Sequence, residues 1–165
     1  MTAVAREKAT ILVADDDPDI LRVTAAILHR FGYEVLTARS GEAALKAFEE
    51  APHTIHLVIS DVVMPGMKGP QLVHSIKSLS PSIATLLMSG TWGIVSDAGA
   101  ASIAKPFQMP ALVDTVKNLL ARCDFATIEL EQSVARSKRL AAKAAEKRDG
   151  VKPVNAHPHK GTHPL

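Results

Sequence analysis

What most constrains this chain is a short stretch near its start, where Ile11 to Ala14 (ILVA) run straight into Asp15, Asp16, Asp17, Pro18 and Asp19. An apolar, β-branched run that stops at acids reads as a buried strand ending in a charged loop. Asp17 and Pro18 have the residue types of an N-cap and a first helical position, and Ile20, Leu21, Ala25, Ile27 and Leu28 then recur at helical spacing up to Phe31 and Gly32. The cycle repeats. Strands are expected at 34–38, 56–60, 83–88 and 102–104, and helices at 42–49, 71–79 and from Pro110 onward, with Leu112, Val113, Val116, Leu119 and Leu120 on one side of the last. Strands alternating with helices over short loops predict an α/β fold: a doubly wound, five-stranded parallel sheet with helices on both faces.

Two intervals depart from this rhythm. Between Ser89 and Ala104 the chain holds Gly90, Gly93 and Gly99, which leaves room for a short fourth helix or none. After Arg122, residues 124–148 keep strong helix formers without Gly or Pro, so helix is expected to continue there. Ile128, Leu130, Val134 and Leu140 do not sustain a heptad, so a homodimer through this C-terminal helix is left open. The expected division is an N-terminal extension (1–9), a core domain (10–122), a helical extension (123–149) and a Pro-, His- and Lys-rich disordered tail (150–165).

Charge and cysteine usage narrow the function classes. The net charge is only +2, yet residues 133–165 hold eight Lys or Arg against two acids. With no aromatics and interleaved alanines, that segment fits a solvated helical face better than a nucleic-acid surface. His157, His159 and His163 are read as part of the disordered end and not as metal ligands. Cys123 is the sole cysteine, which excludes an intrachain disulfide and a zinc-cluster fold and fits a reducing cytoplasm. The start of the chain lacks the apolar run of a signal peptide, and no run is long enough to cross a bilayer.

In open α/β sheets, ligands collect at the carboxyl ends of the strands where strand order reverses. Asp15 and Asp16 close the first strand and Asp61 closes the third; in a 2-1-3-4-5 sheet these are neighbours, and a divalent cation would relieve their mutual repulsion. A hard ion that keeps several waters, Mg2+, suits such a set. Ser89 and Lys105 close the fourth and fifth strands, and a hydroxyl with an ammonium is what a transferring phosphoryl group requires. Singly, each residue has a plainer reading as a cap or turn residue.

Taken together, ILVADDDPDI, LVISDVVMPGMKGPQL, LLMSG and AKPF resemble the characteristic segments of bacterial response-regulator receiver domains, in the same order and over residues 10–122. The resemblance implies a flavodoxin-like fold like that of the chemotaxis regulator. It makes Asp61 the acceptor of a phosphoryl group from a histidine kinase or phosphotransfer protein. Asp15, Asp16, Asp61 and the Val63 carbonyl become the Mg2+ ligands, Ser89 and Lys105 the switch pair, and Pro106 a cis-proline. Asp17 is assigned to the helix cap. It further implies a cytoplasmic signalling module that catalyses only its own phosphorylation and dephosphorylation, acts on a downstream protein, has no membrane partner, and stands alone without an output domain. Two departures matter. Ser102 replaces the aromatic usual three residues before the lysine, and the stretch from Ser89 to Lys105 is short for the family. A pseudo-receiver, keeping fold and metal site but signalling without phosphate, is the alternative. A haloacid-dehalogenase-type phosphatase using Asp15 and Asp17 fits less well, because it needs a cap domain and gives Asp61 no role.

Overall fold

A computed structural model describes residues 8–51, 54–90 and 100–149. The expected tail, most of the N-terminal extension and the interval of the shortened fourth helix lie outside them. The elements are β1 (Thr10–Ala14), α1 (Pro18–Arg30), β2 (Glu34–Ala38), α2 (Gly41–Glu50), β3 (Leu57–Asp61), α3 (Gly69–Leu79), β4 (Ala84–Ser89), β5 (Ala101–Ala104), α4 (Met109–Ala121) and α5 (Phe125–Asp149). The strands form one parallel sheet in the order β2-β1-β3-β4-β5.

Strand alternation sorts the core into two layers. Ile11, Val13, Leu57, Ile59, Leu86 and Met88 face α1 and α4, where they meet Leu21, Leu28, Leu112 and Val116. Leu12, Ala14 and Val58 face the other way, onto Ala44 and Phe48 of α2 and Leu72 and Ile76 of α3. Helices thus cover both faces, and side chains on them at three- and four-residue spacing supply the apolar stripes. The Asp17 carboxylate caps α1 by accepting the Asp19 and Ile20 N–H groups at 2.8 and 3.3 Å. Gly32, at φ +89°, ends the same helix in a conformation that disfavours a side chain.

Helix does not run unbroken past Arg122. The chain turns at residues 122–124, and the Asp124 carboxylate caps α5, accepting the Ala126 N–H at 3.2 Å and the Thr127 hydroxyl at 2.7 Å. The break lets α5 fold back under the amino ends of the strands. Ile128 is fully buried there, and the Phe125 ring packs on His56 with centroids 4.3 Å apart. The Gln132 amide accepts the Ile55 N–H at 3.1 Å and donates to the Ile55 carbonyl at 2.6 Å. Glu131 accepts both serine hydroxyls and the Ser82 N–H in the Ser80–Ser82 turn, and Arg136 donates to the Ala51 carbonyl at 2.7 Å. Part of the basic segment is therefore docked: Arg136 and Arg139 are half-buried, while Lys138, Lys143, Lys147 and Arg148 are exposed. No helix among the described residues is long and apolar enough to cross a membrane.

Candidate acidic phosphoryl-transfer site

β1 lies between β2 and β3, so strand order reverses at the carboxyl ends of β1 and β3, and a crevice opens there. Asp15 follows β1 and is fully buried. Its Oδ1 accepts the Asp17 N–H at 2.9 Å, which curls the following loop and leaves Asp16 exposed at the rim. Asp61 ends β3. Carboxylate oxygens of Asp15, Asp16 and Asp61 lie within 4.8 Å of one another. Three carboxylates at this spacing suit a hard divalent cation.

The loop after Asp61 is tied down on both sides. The Val62 N–H donates to the Met88 carbonyl at 2.9 Å and the Gly69 N–H to the Val62 carbonyl at 3.1 Å, while Val62 and Met64 are buried anchors. Between them Val63 turns its side chain out to solvent. A Cβ at Gly69 would collide with the Asp61 carbonyl oxygen, so only glycine lets α3 start this close to the end of β3. Glu42 of α2 supports the same loop from across the crevice by accepting the Met67 N–H at 2.7 Å. Hydrogen bonds from its own backbone N–H and from that of Met67 hold the Glu42 carboxyl below its usual range. Nothing in the sequence around Glu42 marks this role, because it depends on α2 and the loop meeting in space.

Lys105 reaches in from the end of β5. Its Nζ lies 2.7 Å from Asp15 Oδ2 and 3.3 Å from Asp61 Oδ1. Burial alone would lower the lysine pKa; the two carboxylates more than offset that and leave it raised. Burial raises the Asp61 carboxyl, with the Asp15 charge adding to the effect and Lys105 opposing it. The Lys105 N–H donates to the Ser89 carbonyl at 2.7 Å, which sets Ser89, buried at the end of β4, beside the lysine on the same rim. The Lys105–Pro106 peptide bond is cis. A Cβ built at Gly90 meets nothing within 4 Å among the described residues, and Ser102 is exposed on the edge strand. Next to the acids, an apolar recess of about 460 Å³ is lined by Ile20, Val23 and Thr24 of α1 with Pro106 and Phe107.

The profile of the response regulator receiver domain family matches residues 11–117. Among curated relatives, the sensor kinase CckA of Brucella abortus is 34% identical over 122 residues, covering 70% of this chain and 13% of that protein. The response regulator receiver protein CpdR of the same organism is 30% identical over 116 residues, covering 67% of this chain and 95% of that one. Several of the matched relatives are much longer, and the chain spans 13% to 29% of their length. Among solved structures, the response regulator TrrA of Thermotoga maritima, crystallised in complex with Mg2+ and BeF, superposes with a TM-score of 0.62 at 33% identity. The match covers 67% of this chain and 98% of that one.

Proposed function

The chain belongs to the response regulator receiver domain family, and from that premise we propose that it is a phosphoacceptor in a two-component phosphorelay, with Asp61 taking the phosphoryl group. The observation that carries this reading is the convergence of three carboxylates with one lysine that touches two of them. The donor is the phosphohistidine of a sensor histidine kinase or a phosphotransfer protein. An Asp61 carboxylate oxygen attacks phosphorus, the P–N bond breaks, and its electron pair returns to the imidazole. Lys105 and the Ser89 hydroxyl supply a cation and a donor to the phosphoryl oxygens as charge shifts onto Asp61. Asp15, Asp16, Asp61 and the Val63 carbonyl would hold Mg2+, which when bound offsets the charge of carboxylates and phosphoryl group together. The apolar recess beside Pro106 offers the donor protein a contact next to the acceptor. Output passes through protein contacts to a downstream protein.

The test is incubation with acetyl phosphate and Mg2+, read by intact mass. One phosphoryl group should appear, fail to form when EDTA is present from the start, and be absent from an Asp61→Asn variant. Labelling that persists in that variant would move the acceptor elsewhere. Ser102 favours a second reading, the pseudo-receiver, because β5 carries no ring at that position to report phosphorylation. Equal affinity for the downstream protein with and without beryllofluoride would select it.

A further inference from the structure

The docked helix α5 turns Ile128, Gln132 and Arg139 toward the body, and half a helical turn away it presents a second stripe at four- and three-residue steps: Leu130, Val134, Ser137, Ala141 and Ala144. The first two are large and exposed, at 66% and 45%. They stand at the rim of an open groove of about 570 Å³ beside α5, lined deeper by Gln132 and Arg139 with Phe48 of α2 and Leu79 of α3. The last three are small. Charge is divided the same way. The first eleven residues of α5 carry Glu129 and Glu131 and no base, whereas the second half carries six bases and, up to Arg148, one acid, Glu146. Glu131 is spent on Ser80 and Ser82, which leaves Glu129 to face outward.

We infer that this face binds a second copy of the chain, with the two α5 helices antiparallel about a twofold axis at Ser137. In that register Leu130 lies level with Ala144 of the partner and Val134 beside its Leu140 and Ala141, so the large side chains of the first half pack mainly on small ones, with Leu140 on the flank. Glu129 then falls between Lys143 and Lys147 of the partner, on the same flank of both helices. A parallel pair would set large against large and bases against bases. An acidic partner protein could satisfy the bases but would leave Glu129 unmatched; only the chain itself is complementary in both size and charge, and a twofold contact repeats each match. The approach of Lys138 to its symmetry mate lies at the rim, where solvent screens it. The proposal does not depend on phosphorylation at Asp61.

Sedimentation velocity of the full chain from about 5 to about 500 µM tests it, with half-dimerisation expected at about 10–100 µM, as suits a contact of one helix face. Leu130→Glu should leave a monomer throughout. Glu129→Lys should weaken the dimer at least about fivefold, and adding Lys143→Glu and Lys147→Glu should restore it by reversing the pairs. In a Cys123→Ser background, Ser137→Cys should cross-link to itself on oxidation and Ala126→Cys, at the far end of the pair, should not. A monomer at every concentration, a dimer indifferent to Leu130→Glu, or equal cross-linking at both positions would overturn the inference, the last by making the pair parallel.

Discussion

Asp61 holds its charge in a nearly dry corner, with its side chain 14% exposed, and burial raises its pKa with help from Asp15 against the pull of Lys105. A carboxyl whose folded value lies above its unfolded one favours the fold while it is protonated, and that contribution is lost as pH rises through the folded value. At neutral pH without metal, ionised Asp61 is therefore a cost. Asp61→Asn removes it, and Lys105 keeps its 2.7 Å partner Asp15. In EDTA at pH 7 the variant should melt about 2–4 °C higher than the native chain, the shift that roughly 1 kcal/mol gives at this length. The gain should shrink as pH falls through the folded value and vanish near the ordinary aspartate value of about 3.9. Added Mg2+ should close the gap at neutral pH by stabilising the native chain alone. A thermal melt series in pH and metal checks this, and an Asp61→Asn protein that melts lower at pH 7 in EDTA would contradict the assigned electrostatics.

Helix α5 is held by buried Ile128, by the Phe125 ring on His56 and by one amide. Gln132 is buried and satisfies both the N–H and the carbonyl of Ile55. Gln132→Ala strands both backbone groups at the foot of β3, and should cost about 1–3 kcal/mol in urea unfolding. Lys143→Ala, on the exposed half, should change stability by less than about 0.5 kcal/mol. The sequence shows why this docking is hard to foresee. Strands β1, β3 and β4 are apolar runs with turn residues at their ends, and residues Asp15, Asp16, Asp61 and Ser89 are placed by those ends, so these strand positions and the acidic rim are legible from pattern alone. The turn at residues 122–124 is not, because helix formers continue on both sides. Asp124 with Thr127 three residues on is a cap signal, but its use is decided by where Ile128 and Phe125 find a surface. Burial of Gln132 against Ile55, and the grip of Lys105 on Asp15, join positions 77 and 90 residues apart. Such contacts depend on sheet register and not on local spacing.

On the scale of the whole molecule, the acidic site and the α5 dock occupy opposite ends of one strand. β3 enters beside Ile55, which Gln132 holds, and leaves at Asp61, a span of about 20 Å at strand rise. No side chain described above bonds to both, although α3 touches both, starting against the Asp61 carbonyl at Gly69 and ending one residue before Ser80, which Glu131 binds. Distant sites without common partners add in free energy to within about 0.5 kcal/mol. The Asp61→Asn and Gln132→Ala changes should therefore sum in the metal-free double variant, measured by urea unfolding against each single variant. The same cycle with Gln132→Ala alone, run with and without Mg2+ and beryllofluoride, then isolates any communication that the bound site creates. If α3 moves as a rod between the two ends, the cost of Gln132→Ala should change by more than about 1 kcal/mol on loading the site. If the cost stays fixed in both states while the metal-free double variant sums, the acidic end and the docked helix work independently.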